Sequence, residues 1–382
     1  MVHIAHSVSD NGGEGRPGHL KAIDGLRGWA VLLVFWVHYA GWFGLSQRHI
    51  SYDDVTDVRL LGLTDTLLYW VFFSHYGVFI FFVISGFVIS RSTSRLGSAA
   101  NYFSFLVRRC LRIYPAFLIS LLFAIAVARY FGRLPDIDMR TVLANLIFLN
   151  GLFALNIPGY NNVTWSLFFE FVFYLTFPLA RLVASRLPFA RKGMAIFIWG
   201  LFVGALAVIG FKEWFMFVAF LFGIAAGLQS DASLRALAKM FKDRDLLIAY
   251  LAATTLGACV TSLPRIVDGE FIWGASYPTF VTLLSAIVTL IAVRAAYSQG
   301  FFHRFLSCRI MVQLGEISFS FFLVHVAVIG IVFPLMMPYT EDDLPSALAI
   351  GAVAFISTIL AATVLYFVAE RPYYTFVARH QR

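Results

Sequence analysis

The sequence predicts an all-α fold, a polytopic bundle of about ten membrane-spanning helices plus one short re-entrant or interfacial helix at 140–155. Three observations carry that reading. Only 13% of the 382 residues are charged, about half the share of a soluble domain. Hydrophobic residues make up 60% of the chain, and the mean hydropathy is +0.80. Apolar runs of about 20 residues recur along the chain, the length a helix needs to cross hydrocarbon. Such runs make helices and not the alternating strands of a barrel.

The apolar segments lie at 22–44, 67–90, 112–131, 140–155, 163–186, 193–211, 214–229, 246–262, 273–296, 313–337 and 345–369. Eleven full crossings leave the basic loop at Arg181, Arg186, Arg191 and Lys192 on the outside. Segment 140–155 is the shortest and holds Asn145 and Asn150. If it does not cross, ten helices span and both termini face the cytoplasm. The inner loops then hold 22 of the 29 Lys and Arg residues, as the positive-inside bias requires. The acidic Glu341-Asp342-Asp343 loop falls outside. That bias also accounts for the net charge of +8 without nucleic acid. Residues 1–21, with Gly12, Gly13, Gly15, Pro17 and Gly18 and no apolar core, read as a cytoplasmic tail and not a signal peptide. Residues 22–372 form one membrane domain, and 373–382 a second cytoplasmic tail.

The first apolar segment organises the chemistry. Arg27 and His38 are eleven residues apart, about three turns, so they share one helix face about 16 Å apart along the axis. Ionisable groups within the membrane are costly and mark function. A cation at the inner edge and an imidazole nearer the outside suggest an anionic ligand at one end and proton transfer at the other. His38 suits a general base; the bland alternative is a buried histidine held by a carbonyl.

In Thr164-Trp165-Ser166-Leu167-Phe168-Phe169-Glu170, Ser166 and Glu170 share a face. Counted down from the outer surface, Glu170 falls near the depth of His38 and is expected to orient it. Trp165 and Ser166 are placed along the same path. Arg108-Arg109-Cys110-Leu111-Arg112 clusters three guanidiniums at an inner helix end. Arg109 and Arg112 share a face and suit phosphate, and Arg108 stands beside them. In the run His75–Phe87, Gly77 and Gly86 permit close helix packing. There His75 lies toward the acceptor side, and Ser85 lies deeper. His325 lies mid-membrane as a tunnel-lining candidate. Glu370-Arg371-Pro372 reads as a helix stop with a local ion pair. Cys110, Cys259 and Cys308 show neither disulfide nor metal spacing, and no other metal motif or Gly-rich phosphate loop occurs. Asn162-Val163-Thr164 matches a glycosylation triplet, a weak signal alone.

Taken together, IDGLRGWAVLLVFWVH, GVFIFFVISGFVIS, FLVRRCLRIYPAF, TWSLFFEFVFYL and SFSFFLVHV, in this order and followed by Glu370-Arg371-Pro372, resemble the acyltransferase-3 family of membrane O-acyltransferases. These act on bacterial polysaccharides, O-antigens, exopolysaccharides and Nod factors. The resemblance spans residues 22 to about 330. It implies cytoplasmic acetyl-CoA or another acyl-CoA as donor and essential roles for Arg27 and His38. It also implies donor binding by the Arg109–Arg112 pair and a multi-pass protein of the bacterial inner membrane. The ending at Arg382 fits the stand-alone form. The chain departs from the family at Phe79 and Phe171, where many members carry an acidic residue, which leaves Glu170 as the carboxylate of its motif.

The expected activity is transfer of an acetyl or similar short acyl group to a hydroxyl of a surface or lipid-linked carbohydrate on the outer side. Catalysis is assigned to His38 and Glu170, and donor binding to Arg27, Arg108, Arg109 and Arg112. The path is assigned to His75, Ser85, Trp165, Ser166 and His325. The expected partners are acyl-CoA, a carbohydrate or glycolipid acceptor and membrane lipids, with no metal and no nucleic acid. Two other readings stand beside it: a transporter or flippase for a lipid-linked sugar or anion, and an acyltransferase acting on a lipid or small molecule. Proton-coupled transport suits buried His, Glu and Arg equally, but no inverted repeat is visible.

Overall fold

The computed structural model describes residues 18–47, 73–93, 98–133, 137–186, 192–260, 265–267, 270–272, 276–340 and 344–380. The first 17 residues, part of the second apolar segment and the Glu341-Asp342-Asp343 loop lie outside the described residues. The central element is α1, Gly18–Gln47, whose 30 residues make a continuous helix about 45 Å long at 1.5 Å per residue. Around it come α2 (Gly77–Ser92), α3 (Ala99–Tyr130), α4 (Met139–Leu146), α5 (Trp165–Arg186), α6 (Lys192–Val208), α7 (Met216–Gly227), α8 (Asp231–Met240) and α9 (Asp243–Val260). The chain continues through α10 (Tyr277–Tyr297), α11 (Phe301–Leu306), α12 (Arg309–Glu316), α13 (Ser318–Met336), α14 (Leu344–Leu365) and α15 (Arg371–His380). A small antiparallel hairpin, β1 (Arg265–Val267) with β2 (Glu270–Ile272), joins α9 to α10.

The protein is therefore an all-α, multi-pass helix bundle. Among the described residues, six helical stretches are long and apolar enough to cross a membrane by themselves. A seventh span arises only if α7 and α8 count as one, and they meet at 110°. The exposed face of α8 carries Arg235 and Lys239, so it runs along the surface while α7 stays in the bundle. Surface ion pairs fix it there: Arg91 pairs with Asp231, which also accepts from Tyr297 Oη at 2.8 Å. Nearby, Arg294 Nε donates to Asp243 at 2.8 Å.

Helices approach closely where the sequence places glycine. A side chain on Gly77 would meet the Ala30 carbonyl of α1, and one on Gly86 the Phe220 carbonyl of α7, so both are close-packing positions as expected. A Cβ on Gly315 of α12 would collide with the backbone carbonyl of Asp24. That contact locks the inner end of α1 against the first turns leading into α13.

Segment 140–155 is not one helix. It is the eight-residue α4 followed by two 3-10 turns, Leu149–Gly151 and Phe153–Leu155. Between them and α4, Phe148 turns left-handed at φ 62° and buries its ring against Phe117 in the middle of α3. The following loop reaches α13, where Asn161 Nδ2 donates to the Leu323 carbonyl at 2.8 Å. The segment thus re-enters the bundle, and α5 starts deep within it. Segment 313–337 is likewise split, into α12 and α13. At the carboxyl end α15 makes residues 371–380 helical.

Candidate active site

Two polar centres sit along α1. The one nearer its amino end, called the inner centre for that position on the helix, is a cavity of about 60 Å³ lined by Arg27, Ser85, Arg112, Ser166, Glu170, Tyr174 and Ser318 together with Val78, Phe81, Phe82, Phe319 and Phe322. Five helices supply it: α1, α2, α3, α5 and the first turns of α13. Arg27 and Arg112 are each 7% exposed. Neither makes an ion pair within 4 Å among the described residues, and Arg112 Nε is buried without a hydrogen-bond partner. Glu170 accepts from Ser85 Oγ at 2.8 Å and from Tyr174 Oη. Two buried guanidiniums and one carboxylate thus line the cavity, and the buried Glu370 lies near enough to Arg112 to act on its charge.

The outer centre is an imidazole pair. His38 Nδ1 lies 3.2 Å from His325 Nε2, with the rings edge to face at 4.8 Å. Each Nδ1 also meets a carbonyl of its own helix, Val34 at 2.7 Å for His38 and Phe322 at 2.8 Å for His325. A carbonyl only accepts, so these bonds assign the proton of each neutral ring to Nδ1. The Nδ1 proton of His38 is then shared between the Val34 carbonyl and the lone pair on His325 Nε2. The Nε2 of His38 keeps its lone pair and has no hydrogen-bond partner among the described residues. His38 is half-buried, and His325 is 0% exposed.

The expected Glu170–His38 contact does not form. Glu170 shares the cavity with Arg27, at the other end of the α1 face from His38. The depth was counted from a helix start at the outer surface. In the structure, Asn161 is already bonded to Leu323, two residues from His325, before α5 begins. The job given to Glu170, fixing the His38 tautomer, falls to Val34 O and His325.

The remaining expected residues divide. Arg27, Arg112, Ser85, Ser166 and Glu170 come together in the cavity, and His38 meets His325. Arg109 does not line the cavity; its guanidinium lies over the rings of Phe105 and Tyr174 at 5.0 and 5.4 Å. Arg108 is exposed and does not line the cavity. His75 bonds to Tyr277 of α10, and Trp165 packs on Phe153 and Phe169, both away from the cavity. Phe79 packs against Tyr277 and Phe171 against Phe148, so both departures from the family pattern sit in aromatic contacts. Cys110 and Cys308 are free thiols. Among the described residues, no group of three or more His, Cys, Asp or Glu is placed to hold a metal ion.

Sequence reasoning missed Tyr174 and Glu370. Tyr174 lies four residues after Glu170, a spacing that puts both on one face. Glu370, 1% exposed, makes no pair with Arg371, which stacks on Phe367 at 4.9 Å. Its Oε1 instead accepts from the backbone N–H of Ser320 at 3.1 Å and from Ser320 Oγ at 2.5 Å. Ser320 lies in the first turn of α13, whose N–H groups have no partner inside the helix, so a carboxylate from another helix caps it. A π-turn at Tyr366–Glu370 adds one residue to the last helix and turns Glu370 onto α13; no sequence pattern marks such a turn.

The sequence pattern of the family described as an acyltransferase domain matches residues 20–367. Acyltransferase MdmB of Streptomyces mycarofaciens is 27% identical over 388 aligned residues, covering 95% of this chain and 93% of that protein. Nodulation protein 10 of Rhizobium leguminosarum bv. viciae is 28% identical over 184 residues, covering 42% of this chain and 44% of its own length. No solved structure matches the chain.

Proposed function

This chain belongs to the acyltransferase family that matches it over residues 20–367, and on that premise we propose that it moves a short acyl group across the bacterial cytoplasmic membrane, from a cytoplasmic acyl-CoA to a hydroxyl of a surface or lipid-linked carbohydrate. The single observation that carries this reading is the arrangement along one face of α1. A cavity with two buried guanidiniums lies at one end and a tautomer-fixed imidazole pair at the other. The separation, about 16 Å by helix rise, is close to the length of a pantetheine arm.

Arg27 and Arg112 hold the anionic part of the donor at the inner end. The acyl-bearing arm extends along α1 toward His38. The acceptor hydroxyl comes from the outer side, and His38 Nε2 takes its proton as the oxygen bonds to the acyl carbon. The carbon–sulfur bond breaks, and the thiolate takes that proton back from His38 and leaves as the thiol toward the inner side. The imidazolium formed on His38 is stabilised by the Val34 carbonyl and by the lone pair on His325 Nε2. Holding donor and acceptor in line supplies much of the rate. A cavity of about 60 Å³ has room for only about four to six water-sized groups. The aromatic side chains around it must therefore give way for the arm.

Purified protein with acetyl-CoA labelled in the acetyl group tests the donor, and mass spectrometry of surface glycans with and without the gene tests the acceptor. Loss of one acetyl mass from a glycan supports the reading. Unchanged glycans together with no consumption of any acyl-CoA would overturn it and favour transport of a lipid-linked sugar or anion.

A further inference from the structure

The cavity does not run through to the imidazole pair. On α13 its lining ends at Phe322, and His325 lies three residues further along the same helix. The Phe322 ring stands between them: it lines the cavity, and its centre is 5.9 Å from the His325 ring. From α2, Phe81 meets it edge to face, the two centres 6.0 Å apart. On α2 the ring of Phe81 lies one turn above Ser85. On α13 that of Phe322 lies one turn above Ser318. Phe322, with Phe81 against it, thus stands between the charged cavity and His325, while on α2 the lining runs on past Phe81 to Val78.

Both rings sit on helices fixed at their inner ends, α2 by Gly86 packed against α7 and α13 by the Glu370 cap. Aromatic side chains turn about two torsions without moving the backbone. The two rings can therefore part while their helices stay in place.

We infer that Phe81 and Phe322 form an aromatic septum that decides reaction specificity, keeping the acyl thioester away from water until an acceptor hydroxyl is in place. This rests on the acyl-transfer reading above. An active site loses its acyl group to water whenever water reaches the thioester beside a general base. The lost reaction is balanced simply: the water oxygen bonds to the acyl carbon, the carbon–sulfur bond breaks, and a carboxylic acid and the free thiol leave. With the septum closed the thioester stays on the Arg27 side, where no imidazole stands.

Two measurements test this, one of which needs no catalysis. In a background with Cys110, Cys259 and Cys308 changed to Ala, Ser85→Cys places a thiol on the inner side of the septum. A small charged methanethiosulfonate should reach it from the Arg27 side only. With Phe81→Ala and Phe322→Ala added, the reagent should reach it from both sides. Labelling from both sides with the rings intact, or from one side with both rings removed, would overturn the septum. In the second measurement, acceptor-free hydrolysis of acetyl-CoA by otherwise unaltered protein should rise at least about tenfold in Phe322→Ala and Phe81→Ala. Phe322→Leu and Phe81→Leu, which keep most of the packing, should rise less and serve where an alanine variant does not fold. Labelling that follows the prediction with hydrolysis unchanged would overturn the role in specificity. Wild-type protein that transfers no acyl group to any acceptor would overturn the acyl-transfer reading, and the labelling result would still stand.

Discussion

The two centres on α1 solve the problem of polar groups in a membrane in opposite ways. The inner cavity gathers charge: Arg27, Arg112 and Glu170, with Ser85 and Tyr174 bonded to the carboxylate. Two of the three charged groups that line it are positive. The outer pair gathers none; His38 and His325 are held by carbonyls of their own helices and by each other, with His38 Nε2 left open. Fixed positive charge is suited to holding an anion. A neutral pair with fixed tautomers is suited to gaining and losing one proton without rearranging. On the proposed function, the difference means that binding and chemistry are separated along the helix and need not share residues.

The largest effect should come from the outer pair. His38→Gln keeps a similar shape and removes the base, so turnover should fall by about 10² to 10⁴-fold, with donor KM nearly unchanged. His325→Gln should lower turnover less, because His38 keeps its bond to Val34. Steady-state kinetics on purified protein measure both. A large rise in donor KM from either variant would merge the two centres and break the comparison.

The inner cavity should answer in the other parameter. Arg112→Ala removes one charge-assisted contact, worth about 1.5–3 kcal/mol, and should raise donor KM roughly tenfold to a hundredfold with little change in kcat. Glu170→Gln sharpens the point. If the carboxylate belongs to the inner cavity, the pH midpoint of kcat stays where the wild-type protein has it. A displaced midpoint would place Glu170 beside His38 after all, since an opposite charge within a few ångströms moves a titration by a unit or more.

The fold class was legible because length and hydropathy of apolar runs depend on local composition alone. The eleven-residue spacing of Arg27 and His38 was legible because both stand on one unbroken helix, so the helix rise sets their separation. Pairing between helices was not. Glu170 was assigned to His38 by counting depth from an assumed surface start. The re-entrant loop, with Phe148 left-handed and Asn161 on Leu323, moved that start inward. Arg109 follows the same logic: sharing a face with Arg112 put it near the cavity, but an aromatic neighbour, Tyr174, took its guanidinium. Glu370 was read with its chain neighbour Arg371, and a π-turn gave it a partner fifty residues away.

That misread carboxylate supports the next prediction. Glu370→Ala leaves the Ser320 N–H and hydroxyl buried without an acceptor, which costs about 1–3 kcal/mol. Glu370→Gln keeps an acceptor oxygen there and should lose less. Thermal unfolding in detergent ranks the two. Because the cap sits under the helix that carries both Ser318 and His325, Glu370→Ala should disturb both centres together, unlike any substitution within one of them. An Ala variant as stable as wild type would remove Glu370 from the link between them.

The smallest effect lies at the surface end of the re-entrant segment. Asp138 caps α4, accepting from the Thr141 backbone N–H at 2.9 Å and from Thr141 Oγ1 at 2.5 Å. These bonds, the hydroxyl's first, hold its carboxyl below the ordinary value of 3.8. The depressed value fixes the sign: the cap is at full strength above the unfolded value and weakens as pH falls through the folded one. Hydrogen-exchange protection across 139–146 should therefore hold steady near neutral pH and drop below about pH 4. Asp138→Asn, an equally good cap without a titrating group, should flatten that drop. The loop that α4 begins ends on Leu323 beside the imidazole pair. Acid loosening of α4 should therefore reach the outer centre and leave donor binding in the cavity unchanged. Equal loss in both would mean that the re-entrant segment supports the whole bundle and not the outer half alone.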